Sequence, residues 1–403
     1  MRGKFVRILA LLCMIAGMGW CSADYAQAAS ARDISGATKA IVQAYKKGQT
    51  KVDVSAYHLY NTRDSSAISD MMTDILAKTT GLFYADQEFA KLVQPTTDQV
   101  QQIEIRYKKN FRKSDGSVDR AKIQKLQSQI DRKVNKIMRR VNGKMSTVEK
   151  ALVLHDYLVQ NTSYYDGSAW YCTNEWGVLL KGKGNCQGYA KAYGVLLQKV
   201  GIPVKYIDSV SMAHMWNLVK ISGKWYHVDV TWDDPLEPTT KKDQYGLVLH
   251  DNFLRSTSAM MASGYYGFQC QTKTGTKYDK KYWRQVNSAF VYRKGKWLYQ
   301  TSDAIKQRSH LERGTAKTLY RAGGRAFVQV SSRYYYFINY NRVFLYDRKT
   351  NRIKLVYDGK NKKSGYTMTQ LRYAGGKLTM RFVGNGKLKK IKRTVVKNGK
   401  LAA

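Results

Sequence analysis

Residues Ala213 to Pro235 read AHMWNLVKISGKWYHVDVTWDDP, and this run restricts the fold more tightly than any other part of the chain. Apolar and polar side chains alternate on both sides of Ser222-Gly223, the pattern of two antiparallel strands joined by a two-residue turn. With Ile221 and Lys224 closing that turn, Trp216 lies opposite Asp229 and His214 opposite Thr231. His214 and Asp229 are then diagonal neighbours on one face, where Cβ atoms about 7–8 Å apart leave an imidazole and a carboxylate within hydrogen-bonding reach. A slip of one residue would send them to opposite faces, so the turn length is part of the chemistry. His227 falls on the same face, and alternation alone does not choose between the two histidines.

A second stretch, GNCQGYA at Gly184 to Ala190, supplies a nucleophile to match. Behind Cys186, Tyr189, Ala190, Tyr193, Leu196, Leu197 and Val200 recur at helical spacing, and Gly201 and Pro203 stop the helix. Cys186 therefore stands at a helix N-terminus, where free N–H groups and the positive end of the dipole favour a thiolate. Cysteine, histidine and aspartate together are what thiol acyl transfer requires. The histidine takes the thiol proton and later protonates the leaving amine, and the aspartate orients the ring and stabilises its cation.

Upstream, Ser146 and Glu149 form a capping box for a helix through Ala151, Leu152, Leu154, His155, Leu158 and Val159, with His155 read as structural. Before it, the pattern predicts helices over Ile34 to Tyr45, Ala67 to Ala77 and Asp119 to Val141, and strands over Lys51 to Tyr57 and Gln102 to Tyr107. The charged third helix carries Ile123, Leu126, Ile130, Val134 and Ile137 in one stripe, a face for docking on a neighbour. Beyond Ser288 the texture changes to short alternating strands broken at Lys294-Gly295, Gly323-Gly324, Ser331-Ser332 and Asn385-Gly386, an all-β unit of hairpins. A faint echo links Tyr320-Arg-Ala-Gly-Gly-Arg with Tyr373-Ala-Gly-Gly-Lys, as in meanders or propeller blades. Tyr334, Tyr335, Tyr336, Phe337 and Tyr340 read as sheet filler, with a carbohydrate-stacking surface as the alternative.

Arg2, Lys4 and Arg7, the apolar run from Ile8 to Met18, and Ala26-Gln27-Ala28 have the three parts of a secretory leader, so residues 1–28 are expected to be removed. No later run reaches the roughly 20 apolar residues of a membrane span, so no transmembrane segment is expected in the mature chain. Without the leader, Cys172, Cys186 and Cys270 remain. Either Cys172 pairs with Cys270 or all three stay reduced, and both options leave Cys186 free. No pair has zinc-knuckle spacing, so neither a metal nor a cofactor is expected. The formal charge is +40, and residues 280–403 hold 31 lysines and arginines against 4 acids. For an exported chain this points to an anionic cell-wall polymer or membrane surface and away from nucleic acid.

From the helix at Ser146, through GNCQGYAKAYGVLLQKVGIP, to HMWNLV and GKWYHVDVTWDDP, the sequence resembles the transglutaminase-like superfamily, of papain-related fold. The resemblance implies Cys186 as nucleophile, His214 as base and Asp229 as orienting carboxylate, and so selects His214 over His227. It implies an α+β fold with a cysteine-bearing helix packed on an antiparallel sheet bearing the histidine and aspartate. The expected organisation is a leader at 1–28, an N-terminal α+β accessory region at 29–145, a transglutaminase-like catalytic domain at 146–270 and a basic all-β domain at 280–403. The expected function is exported thiol-dependent acyl transfer or hydrolysis on protein or peptide amides: cross-linking, deamidation or peptidase action at the cell surface. The alternative is a non-catalytic wall-binding or scaffold protein that keeps the fold. The second oxyanion donor and the oligomeric state stay open at this level.

Overall fold

Ser30 caps the first helix, α1 (Ala31–Lys47), accepting from the Asp33 N–H at 3.1 Å, and Gly48 ends it in the left-handed region at φ 71°. The computed structural model describes residues 30–236, 244, 246–321, 325–331, 333–359, 367–374, 376–384, 387–397 and 400–401. The expected leader lies outside these residues, as do the breaks at Gly323-Gly324 and Asn385-Gly386 and the residue Ser332. After α1 come β1 (Lys51–Asp53), α2 (Ser65–Lys78), β2 (Ala85–Val93), β3 (Val100–Tyr107) and α3 (Arg120–Met138). The three strands form an antiparallel sheet with β3 in the centre. The expected strand over Lys51 to Tyr57 is shorter, because Ser55–Tyr57 closes into a 3₁₀ turn in which Ser55 N–H and Oγ both bond to Asp53 Oδ1. Strand β2 carries no clean alternation and was not expected. On α3 the docking stripe is real: Ile130, Val134 and Ile137 are buried and Ile123 and Leu126 pack against the core.

The central unit begins with α4 (Thr147–Asn161). The Ser146 Oγ accepts from the Glu149 N–H at 3.2 Å while the Glu149 carboxylate accepts from the Ser146 N–H at 2.9 Å. Short parallel strands β4 (Ser163–Tyr164) and β5 (Lys183–Gly184) flank a π-helical turn at Gly177–Lys181. Then follow α5 (Cys186–Lys199), β6 (Val204–Ser209), β7 (His214–Ile221), β8 (Lys224–Val228), β9 (Phe253–Arg255) and α6 (Thr257–Ala262). The four strands form one antiparallel sheet in sequence order, and α5 packs on β7. The fold is α+β, with the cysteine-bearing helix laid on the sheet that bears the histidine.

The rest of the described chain is three four-stranded antiparallel meanders. The first holds β10 (Val291–Arg293), β11 (Lys296–Gln300), β12 (Ile305–Arg308) and β13 (Lys317–Tyr320), and the second β14 (Arg325–Gln329), β15 (Tyr334–Asn339), β16 (Arg342–Asp347) and β17 (Arg352–Asp358). The third holds β18 (Thr367–Ala374), β19 (Lys377–Gly384), β20 (Lys387–Lys397) and β21 (Lys400–Leu401). The sequence echo falls largely on residues outside those described, Ala322 to Gly324 and Gly375. Tyr334 to Phe337 are buried, as sheet filler should be, whereas Tyr340 is 87 % exposed at the turn between β15 and β16.

One continuous core joins α1 to α4, α5 and the first meander, down to Trp297, Tyr299 and Leu311. Glu149 explains part of that continuity. Besides capping α4, its other carboxylate oxygen accepts from the Trp297 indole N–H at 2.8 Å and lies 3.5 Å from the Leu311 N–H. The second and third meanders share a separate cluster through Val328, Tyr336, Met368, Leu371 and Met380.

Replacing Ser146 by Ala should therefore cost about 1 kcal/mol, the usual value of an N-cap. Glu149→Ala should cost more, about 2–3 kcal/mol, because it also strands a buried indole donor. Urea denaturation of both variants checks this, and equal midpoints would show that Glu149 does not dock the first meander.

Candidate active site

Helix α5 opens on Cys186 because Asn185 caps it, its side chain accepting from the Gly188 N–H at 3.2 Å. Gly188 is required by close approach: a Cβ there would sit 2.7 Å from the Cys172 carbonyl oxygen. That same carbonyl accepts from the Asn185 N–H at 2.9 Å, so the aromatic loop before the helix is folded back onto its first turn. Cys186 is buried, 7 % exposed, against Ala190, Met215 and Ala77 of α2, with Sγ 3.9 Å from the Ala213 carbonyl oxygen. All three cysteines of the described chain are free thiols: Cys172 Sγ donates to the Tyr165 carbonyl at 3.1 Å and Cys270 Sγ to the Thr272 carbonyl at 3.3 Å.

The hairpin has the register that the two-residue turn dictates, from Ile221 opposite Lys224 to Asn217 opposite Val228. It ends there. The expected pairs of Trp216 with Asp229 and His214 with Thr231 do not form, because Asp229 turns out of the ladder and gives its N–H to the Asn252 carbonyl at 3.1 Å. The cause is local: Asp229 Oδ1 accepts from the N–H groups of Thr231 at 2.9 Å and Trp232 at 3.1 Å, so the carboxylate caps its own turn. Oδ2 accepts from His214 Nε2 at 2.5 Å and from the Tyr265 hydroxyl at 2.8 Å. The histidine and aspartate thus meet as expected, by a turn at the strand end in place of a diagonal across the ladder.

His214 is stacked between two indoles, Trp216 at 5.6 Å and Trp232 at 5.0 Å between ring centroids, with Trp232 in turn 4.4 Å from Tyr265. Its Nε2 is committed to Asp229, which leaves Nδ1 for the thiol. Burial disfavours the charged ring. Against it, the charge and hydrogen bond of Asp229, followed by the hydrogen bond and charge of Cys186, carry His214 up to about 10. Cys186, His214 and Asp229 are brought together around one imidazole.

His227 is occupied elsewhere. Its Nδ1 accepts from the Trp216 indole at 2.9 Å, which fixes the proton on Nε2, 3.0 Å from Thr257 Oγ1. Burial pushes it down to about 4, so it stays neutral and orients Trp216 behind His214. His155 is structural: fully buried, it bridges Asp156 at 2.9 Å and Asp233 at 3.0 Å. Burial opposes its charge, but the two carboxylates raise it to about 9. Asp156 also accepts from His250 Nε2 at 2.9 Å and the Phe290 N–H at 2.7 Å. His155, Asp156 and His250 have the residue types of a metal site, yet their donor atoms are consumed by bonds to one another.

Three neighbours of the site carried no sequence signal of their role. Tyr265 reaches Asp229 from the loop after α6, a contact 36 residues long in sequence. Trp232 shields the histidine while 43 % exposed. Tyr164 pairs with Gly184, two residues before the cysteine. Burial, and next to it the charge of Cys186, push its hydroxyl up to about 12, so it remains a protonated donor beside the thiol.

Residues 135–230 match the sequence model of the transglutaminase-like superfamily. This segment is a transglutaminase-like core. Among solved structures, a TGase crystal structure aligns at 13 % identity and TM-score 0.25, covering 41 % of this chain and 47 % of that one. A candidate cysteine protease from Cytophaga hutchinsonii aligns at 16 % identity and TM-score 0.23, covering 39 % of this chain and 64 % of that one. The chain thus spans less than two thirds of either structure. No curated protein matches it significantly.

A pH-dependent consequence attaches to His227, whose folded value of about 4 lies below the 6.5 of the free side chain. Between those values the unfolded chain binds a proton that the folded chain refuses, so stability falls as pH drops from 6.5 towards 4. His227→Gln, which can still accept from Trp216, should show a shallower loss across that window in denaturant titrations. Parallel curves for the two proteins would refute the assignment.

Proposed function

We propose that this protein is an exported thiol enzyme that attacks protein or peptide amides through a thioester on Cys186, at a cell surface to which its basic strand-rich region holds it through an anionic wall polymer. One observation carries the chemical half of this reading. Cys186 opens a helix beside an imidazole whose other nitrogen is hydrogen-bonded to a buried carboxylate at 2.5 Å. The superfamily match over residues 135–230 supports a thiol-dependent enzyme of this general class.

In the proposed reaction the Cys186 thiolate attacks the amide carbon while His214 is the imidazolium. As the C–N bond breaks, His214 gives its proton to the departing amine or ammonia and leaves a thioester. Neutral His214 then takes a proton from water or an acceptor amine, which attacks the thioester and releases Cys186. Asp229 holds the ring so that Nδ1 faces the sulfur. The oxyanion is received by the backbone N–H of Cys186 and by the hydroxyl of Tyr164, whose backbone pairs with Gly184 just before the helix start and whose hydroxyl feels the charge of Cys186. The stacked Trp232 keeps water from the His214–Asp229 bond.

Cys186→Ala and His214→Ala should each lower turnover by about 10⁴- to 10⁶-fold, and Asp229→Asn by about 10³- to 10⁴-fold. The assay is a glutamine-containing peptide with a labelled amine. Amine incorporation identifies a cross-linker, ammonia release alone a deamidase, and chain scission a peptidase. In parallel, iodoacetamide should label Cys186 at neutral pH faster than Cys270 and lose that advantage in His214→Ala. Equal labelling of both thiols in the parent protein would sink the catalytic reading. Tyr164→Phe should reduce kcat by about 10²- to 10³-fold with KM nearly unchanged, the mark of a donor used in the transition state. A change confined to KM would remove Tyr164 from the oxyanion site.

A further inference from the structure

A cleft of about 780 Å³ lies away from Cys186, between α4 and the three meanders. Its walls come from elements far apart in sequence. Arg139 and Arg140 follow the end of α3, Gln160 stands on α4, Arg293 ends β10 and Lys294 opens its turn to β11, and Arg372 stands on β18. The cations therefore converge from three directions. Arg348, whose Nη2 donates to the Arg293 carbonyl at 3.0 Å, brings another cation to the same rim.

Little counter-charge lines this wall among the described residues. Among the described lining residues Asp156 is the single acid, and its oxygens already accept from His155, His250 and the Phe290 N–H. Among the described residues no ion pair is made by Arg139, Arg140 or Arg293, whereas Arg372 has a partner of its own. Arg140 lies 5.2 Å from the Tyr157 ring centroid, a cation–π contact that holds the guanidinium while leaving its N–H edge for an oxyanion. Cations gathered in a cleft repel one another, and an anionic ligand relieves that repulsion.

We propose that this cleft binds a phosphodiester polymer. The pairing of the cations favours phosphate: Arg139 is adjacent to Arg140, and Arg293 to Lys294. One guanidinium fork saturates a planar carboxylate, whereas the oxygens of a tetrahedral phosphate can be shared by donors arriving from two sides. The volume favours a chain over a single ion, since a cleft of this size holds a ligand of many atoms. Gln160 adds an uncharged donor and acceptor for hydroxyls between the phosphates. For its biological setting the proposal rests on the reading of the protein as exported and surface-bound; the binding itself follows from the cleft and is independent of the thiol chemistry.

The test measures binding of a fluorescent synthetic glycerol phosphate oligomer to the purified protein by anisotropy over a range of salt. The cleft variant is Arg139→Gln/Arg140→Gln/Arg293→Gln/Lys294→Gln, and the control, Lys46→Gln/Lys47→Gln/Lys113→Gln/Lys125→Gln, removes the same charge from exposed positions on α1, α3 and the loop before α3. The cleft variant should weaken binding by roughly 100-fold or more and flatten the salt dependence by about one unit of slope per lost contact, while the control changes affinity by less than about 5-fold. Equal losses in both variants would overturn the proposal in favour of diffuse charge. Equal affinity of the parent protein for polyglutamate or polygalacturonate would overturn the phosphate assignment. Should the fourfold variant fail to fold by thermal melting, the exposed pair Arg293→Gln/Lys294→Gln is read the same way, with about a 10-fold loss expected. Amide turnover in the same preparations keeps the two proposals apart: lost polymer binding with intact turnover is the expected result, and binding without turnover in the parent protein would count against the thiol reading alone.

Discussion

The carboxylate of Asp229 sets the geometry of the centre. It is fully buried, and a buried carboxylate loses several kcal/mol of hydration unless donors replace the water. Here four do: the N–H groups of Thr231 and Trp232 on one oxygen, His214 and the Tyr265 hydroxyl on the other. The four donors serve three structural features. The two backbone N–H groups end the β8 ladder and swing Trp232 over the histidine, the His214 bond fixes which ring nitrogen faces the thiol, and the Tyr265 bond draws the loop after α6 against the sheet. Removing the charge would loosen a turn, a base and a loop together.

A second buried network extends this constraint outward. Asp233, four residues beyond Asp229, gives its N–H to the Asp229 carbonyl at 3.3 Å and accepts from both nitrogens of Asn252 and from His155. His155 bonds Asp156, and Asp156 bonds His250 and the backbone of Phe290, just before the first meander. The Asp229 turn is thereby tied through α4 to the strand-rich region by charge-assisted bonds in a dry interior, where such bonds are strong and an unpaired member is costly. The aspartate that ends this chain also lines the cationic cleft, where its oxygens are already taken by His155, His250 and the Phe290 N–H.

The N-terminal region acquires a role by the same route. Ala77 of α2 packs in the small cluster around Cys186, the buried Lys191 of α5 donates to the Leu76 carbonyl, and Glu175 accepts from the Gly81 N–H at 2.7 Å. Residues that looked like an accessory segment therefore form one wall beside the cysteine. Nothing in their pattern announced this, since an amphipathic helix states that it has a buried face and not what covers it.

How much was legible divides along the range of the interactions. Capping of α4 by Ser146 and Glu149, the start of α5 at Cys186, the turn at Ser222-Gly223 and the register behind it are written within a few residues of where they act, and each was readable because local backbone chemistry admits few alternatives. The meeting of His214 with Asp229 was readable for the same reason, being one hairpin deep. The end of the ladder at Val228 was not, because it depends on a side chain capping its own backbone in competition with strand pairing. Strand β2 was missed because it alternates poorly. Tertiary structure alone placed Tyr265 on Asp229, Trp232 over His214, Glu149 on Trp297 and five cations around one cleft. These contacts join residues tens to hundreds of positions apart, and their partners are chosen by which buried polar group would otherwise go unsatisfied. By itself the sequence determined the chemistry of the thiol, imidazole and carboxylate and the local frames that present them; the folded chain decided what surrounds, shields and charges them, because desolvation and long-range packing exist only once the core has closed.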